Sequence, residues 1–115
     1  MSMSMSKIFY KVQRHLLKQN ERAEWGGTCQ YRTDSGLSCA VGCLLTDEMY
    51  DPKMEGNNIF QKTVADALTP ILGVRWIQVG KKMDLLRRLQ KIHDGCDPDY
   101  WPEMLLELKE EYNIA

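Results

Sequence analysis

The sequence predicts an α+β domain, mostly helical, with four to five helices packed around a short β-hairpin. Three observations carry that expectation. Apolar residues recur three to four apart in several separate segments, which is the spacing of one buried helix face. The stretch 25–43, WGGTCQYRTDSGLSCAVGC, gathers three of the four cysteines and four of the eight glycines around one tight turn. A chain of 115 residues is also the size of one domain. Residues 7–115 are expected to form it, with 1–6, MSMSMS, as a disordered lead-in.

The elements follow in order. Ser6 can cap a helix that runs to about Arg22, with Ile8, Phe9, Val12 and Leu16 on its apolar face and Lys7, Lys11, Arg14 and Lys18 on its wet face. Gly26 and Gly27 end it. Residues 28–32 suit a strand, Asp34, Ser35 and Gly36 make a turn, and Leu37 and Ser38 return as the second strand. Ser38 then has the character of a cap for the apolar run 39–45. Gly42 costs stability inside that run, so it belongs where another backbone packs close.

Residues 46–56 are acidic, carry Pro52, and read as a surface loop with one extra turn. Asn58 and Gln61 have capping-box spacing ahead of Phe60, Val64, Ala67 and Leu68, and Pro70 should stop that helix. The run 71–77 is apolar without a decisive period. A helix over 81–93 buries Leu85, Leu86, Leu89 and Ile92. Asp97 and Pro98 start the last element, whose apolar positions are Trp101, Leu105, Leu108 and Tyr112.

Charge is balanced overall, at a net −1, which argues against a protein that neutralises phosphates over its whole surface. It is not balanced locally. Residues 75–91 hold six basic side chains against Asp84 alone, and 94–111 hold seven acids against Lys109 alone. Such a dipolar pattern suits self-association or docking on an oppositely charged partner, with two solvated helix faces as the plainer reading. The contact residues it nominates are Arg75, Trp76, Lys81, Lys82, Arg87, Arg88, Tyr100 and Trp101. The same basic run beside Trp76 could instead meet nucleic acid through phosphates and a stacked base. The opening residues lack the basic start and apolar core of a secretory signal, and no window approaches a membrane span. A cytoplasmic, reduced chain with no membrane partner is expected.

Two constellations could carry chemistry. Cys39 falls where a helix start would lower a thiol pKa, and a cysteine nucleophile needs a base, for which only His15 and His93 exist. Cys39 with His93 is the candidate pair of a cysteine-dependent hydrolase. Asp94, adjacent to His93, points elsewhere on a helix, and Asp97, four residues on, is the better orienter only if the helix continues past Gly95. Alternatively Cys39 and Cys43, four apart, and His93 and Cys96, three apart, could form a tetrahedral zinc site, with Cys29 as substitute ligand. The plainer role for each of these residues is ordinary packing. Tyr31 and Arg32 flank the turn and could bind a phosphate or carboxylate. No phosphate loop, dinucleotide fingerprint or zincin motif is present.

The first helix, WGG from Trp25, CQYR from Cys29, DSG from Asp34, CAVG from Cys39 and LQKIHD from Leu89 shortly before Trp101 occur in an order that resembles small phage- and prophage-encoded proteins of no assigned activity. The resemblance implies an intracellular bacterial or viral setting and an accessory role on a host component, with no catalytic residues to transfer. The leading expectation is therefore a non-enzymatic accessory protein without cofactor, acting on a host or phage protein and pairing as a homodimer. The hydrolase, the zinc module and the nucleic-acid module are its alternatives.

Overall fold

The computed structural model describes residues 2–73 and 76–115, with the backbone alone for residues 76–78. Two nominated contact groups, Arg75 and the Trp76 side chain, therefore lie outside the described residues. The elements run α1 (Met5–Gln19), β1 (Glu24–Trp25), β2 (Thr28–Cys29), α2 (Lys62–Ala67), α3 (Thr69–Leu72), α4 (Trp76–Gly95) and α5 (Trp101–Glu111), with short 3-10 turns at Gly42–Leu44, Pro52–Met54 and Pro98–Tyr100. Among the described residues, five helices pack around one two-stranded antiparallel hairpin, as the sequence predicts.

Helix α1 starts earlier than expected. Ser4, not Ser6, accepts the Lys7 N–H on its hydroxyl at 3.2 Å, and the Met3 amide donates to the Ile71 carbonyl at 2.9 Å. Met3 and Met5 pack against the core, so the Met/Ser opening is tied down from its third residue. The helix closes at Asn20, a left-handed residue whose N–H returns to Leu16. Ile8, Phe9, Val12 and Leu16 are fully buried, and they meet α4 and α5 across the core. From those helices Leu85, Leu86, Leu89, Ile92, Trp101, Leu105 and Leu108 are buried as their spacing requires.

The hairpin sits one turn earlier than its sequence signal. Gly26 and Gly27, both at positive φ, make the turn itself, pairing Trp25 with Thr28 and Glu24 with Cys29. The Asp34–Gly36 turn does form, but it closes a single bridge between Arg32 and Ser38. Ser38 does not cap a helix. Its N–H donates to Gln19 Oε1 and its carbonyl meets His15 Nε2 and Gln19 Nε2, so it is spent on α1. The run 39–45 consequently makes only a 3-10 turn. Here Gly42 lies against the Tyr31 backbone, where a Cβ would overlap the Tyr31 carbonyl oxygen. That carbonyl also accepts the Cys39 N–H, so it cannot simply move aside.

One ion pair among the described residues joins the basic and acidic segments. Basic α4 packs on acidic α5, with Arg88 Nη2 on Glu111 Oε2 at 2.5 Å and the Tyr112 hydroxyl on the Asp84 carboxylate. Arg87 pairs with Asp84 at 3.0 Å. No described helix is long and apolar enough to cross a membrane. Substituting Gly42→Ala is expected to cost about 2 kcal/mol or more of stability, measured by urea unfolding; a loss below about 0.5 kcal/mol would mean that the Tyr31 backbone gives way freely.

Candidate metal centre

His93 lies two residues before the end of α4 and has no exposed surface. A buried imidazole must satisfy both ring nitrogens. The Ala23 backbone N–H donates to Nε2 at 3.0 Å, which makes Nε2 an acceptor and leaves the proton on Nδ1. Nδ1 donates to Asp94 Oδ1 at 2.6 Å. The ring stacks on Trp101, centroids 5.6 Å apart at 26°, and the Trp101 indole N–H donates to the Ile92 and Cys96 carbonyls at 3.1 Å each. Gln90 Nε2 holds Asp94 from the preceding turn at 3.1 Å.

The hairpin supplies the third member. Cys29 pairs with Glu24 in the ladder, and the Gln30 N–H returns to the Ala23 carbonyl at 2.8 Å. The same short segment thus contributes the Ala23 amide and the Cys29 thiol to one place. Cys29 Sγ, a His93 ring nitrogen and an Asp94 carboxylate oxygen all lie within 4.8 Å of one another. Among the described residues this is the one group of three or more His, Cys, Asp and Glu ligand atoms so close. Two donors on one tetrahedral zinc stand about 3.2–3.7 Å apart, given zinc–ligand bonds of about 2.0–2.3 Å. The cluster therefore fits an ion after shifts of about an ångström, the His93–Asp94 pair opening and the thiol closing in.

Of the four ligands expected from spacing, only His93 belongs to it. Cys39 is fully buried, its sulfur accepting the Gly42 N–H at 3.2 Å. The Cys43 thiol donates to the Ala40 carbonyl at 3.1 Å. Cys96 lines a different cleft, with Met104 and Leu108. All four cysteines are free thiols, so the even count builds no disulfide. Cys29, named as a substitute, is in the cluster, and Asp94 is the ligand that sequence reasoning missed. Expected to point away from His93, it reaches Nδ1 because the ring lies flat on Trp101 with that edge towards its neighbour.

The hydrolase pair does not form. Both His93 nitrogens are engaged elsewhere, and burial pushes the Cys39 thiol up to about 12, against the lowering that a nucleophile needs. Burial first, then the Asp94 charge, raises the Cys29 thiol to about 11. Neither sulfur is a ready thiolate at neutral pH.

The other nominations also change. Arg32 is committed to Asp47 at 2.7 Å and the Leu45 carbonyl at 2.8 Å, and it covers the Tyr50 ring at 4.8 Å. The Tyr31 hydroxyl donates to the Asn57 carbonyl. The pair does hold a carboxylate, but it is Glu55 of the same chain, bound by the Tyr31 and Arg32 backbone N–H groups at 2.9 and 3.1 Å. In the contact surface, Trp101 is fully buried and Lys82 nearly so, its ammonium on the Leu72 carbonyl. Lys81, Arg87 and Tyr100 remain exposed and Arg88 is half-buried, so no aromatic patch joins Tyr100 to Trp101.

Neither protein-family models, nor curated proteins, nor solved structures give a match to this chain. In the folded protein at neutral pH, Cys39 is expected to resist a water-soluble maleimide until unfolding. Cys29 should label about a hundredfold more slowly than free cysteine, the effect of moving a thiol from 9.0 to about 11. Site-resolved mass spectrometry reads both; rapid labelling of Cys39 would restore it as a reactive thiol.

Proposed function

We propose that this protein is a small metal-binding module whose ion is a zinc-like divalent cation held by Cys29, His93 and Asp94. The supporting observation is the convergence of one sulfur, one imidazole and one carboxylate within 4.8 Å, drawn from the hairpin and from the last turns of α4. A mixed sulfur, nitrogen and oxygen set suits zinc better than magnesium or calcium, which take oxygen ligands. Thiolate and carboxylate together neutralise a dication in a half-buried place. Three protein ligands leave one tetrahedral position for water or a further ligand.

The hydrogen bonds around His93 set the cost of binding. Nδ1 faces Asp94 and is the nitrogen available to an ion, so its proton must leave. A proton moved to Nε2 would then confront the Ala23 N–H, which already points there. One donor loses its acceptor, at a cost of about 1–3 kcal/mol, unless Ala23 moves. Metal entry is thereby coupled to a shift of the Ala23 segment, and through the ladder to Cys29 itself.

Full-length protein titrated with zinc is expected to bind one equivalent and to gain thermal stability, about 2.7 kcal/mol at a hundredfold excess over the dissociation constant. Cys29→Ser and Asp94→Asn should each weaken binding by about tenfold or more, while Cys39→Ala should leave stoichiometry unchanged. His93 variants remove a fully buried, doubly bonded ring and test folding as much as binding, so the two partly exposed ligands are the informative ones. Equal zinc affinity in wild type and Cys29→Ser would overturn the assignment.

A further inference from the structure

Next to the cluster, a cleft of about 520 Å³ opens between α4 and the segment 56–60. Its volume falls in the range of about 300–1,000 Å³ typical of small-molecule sites. One wall is a stripe of α4, Arg87, Gln90, Lys91 and Asp94, spaced three and four apart so that they share a face. The other wall carries Phe60, and Tyr31 also lines the cleft.

Phe60 is unusual in this fold. Its ring is 59% exposed while Ile59 beside it is buried, so it serves no core. Its place is nevertheless fixed. The Phe60 N–H donates to Asn58 Oδ1 at 2.9 Å, and the Asn58 N–H donates to Gln61 Oε1 at 2.7 Å. A wet aromatic ring on an anchored backbone is a stacking platform with little ordering left to do.

The charges facing it are cationic and available. Lys91 is exposed and forms no ion pair among the described residues. Arg87 uses Nη2 on Asp84, which leaves the rest of its fork. The one carboxylate on this wall, Asp94, is occupied by His93 and Gln90. The amides are also spent internally, Gln90 Oε1 on the Val41 N–H and Asn57 Nδ2 on the Lys53 carbonyl. The cleft therefore offers one flat apolar face and two cations, beside the amide side chains of Asn57 and Asn58.

We propose that the cleft between α4 and Phe60 binds a small planar aromatic anion of the nucleoside-monophosphate type, the ring stacked on Phe60 and the phosphate held by Arg87 and Lys91. Either half alone engages only half of the site, so binding requires both on one molecule. Asp94 belongs both to this wall and to the proposed metal cluster, so the two sites share one residue and the cleft is tested on metal-free protein.

The test is calorimetric titration of AMP into the full, metal-free chain, with adenosine and inorganic phosphate titrated separately. AMP is expected to bind one to one, with adenosine and phosphate each weaker by about tenfold or more, and with affinity falling as salt is raised. Phe60→Ala and Lys91→Ala, both at exposed positions, should each weaken AMP by about tenfold while leaving the unfolding temperature unchanged. Absence of saturable AMP binding, or AMP affinity matched by phosphate alone, or affinity indifferent to both substitutions, would overturn the proposal. Zinc binding that persists in Phe60→Ala keeps this result separate from the metal assignment.

Discussion

A histidine without exposed surface, stacked on a tryptophan, is stable only if both ring nitrogens find partners. At His93 those partners come from two distant places in the chain, the Asp94 carboxylate on its own helix and the Ala23 amide seventy residues earlier. The second bond makes the α4 terminus an anchor for the segment between α1 and the hairpin. Arg22 reinforces it by donating to the Cys96 carbonyl at 3.3 Å, and Trp101 roofs the ring while capping the same carbonyl. Three elements thus converge on one imidazole, and Cys29 arrives there because the two-residue ladder holds it opposite Glu24.

The rest of the molecule is arranged around the same helix. Its apolar side meets α1 and α5, its basic side is partly neutralised by acids of α5, and its remaining stripe borders the Phe60 cleft. Of the charge imbalance that reads in the sequence as suited to a partner, Arg88 with Glu111 is matched between the two packed helices, while Lys81, Arg87 and Lys91 stay exposed. Exposed pairs such as Arg87 with Asp84 contribute little each, and the buried apolar stripes supply most of the association.

The buried faces of the long helices were legible because their signal is local, but α3 runs through Pro70, expected as a stop, and α4 begins at Trp76, within the run that spacing leaves undecided. Ile8, Phe9, Val12 and Leu16 on α1, and Leu85, Leu86, Leu89 and Ile92 on α4, announce their buried faces by spacing alone. Gly42 was legible as a close backbone approach, though not that the backbone would be Tyr31. The hairpin register was not, because two glycine-bearing turns compete within ten residues and the choice is made by Ser38 docking on Gln19 of α1. The site was half legible. His93 and the substitute role of Cys29 could be named, but Asp94 depends on the ring plane that Trp101 imposes, and nothing in helical spacing contains that plane. Cys39, Cys43 and Cys96 had the better spacing and lost to packing and to helix ends that face elsewhere.

On the proposed metal assignment, a proton and an ion compete for the same His93 nitrogen. The direct test is nitrogen NMR of the His93 ring in metal-free protein and after one equivalent of zinc. The account predicts a protonated Nδ1 and a bare, hydrogen-bond-accepting Nε2 without metal, then loss of the Nδ1 proton and a large shift of the Ala23 amide when zinc is added. A ring that keeps its Nδ1 proton in the presence of zinc, with the Ala23 amide unmoved, would contradict it and leave the cluster as a polar clasp of the fold.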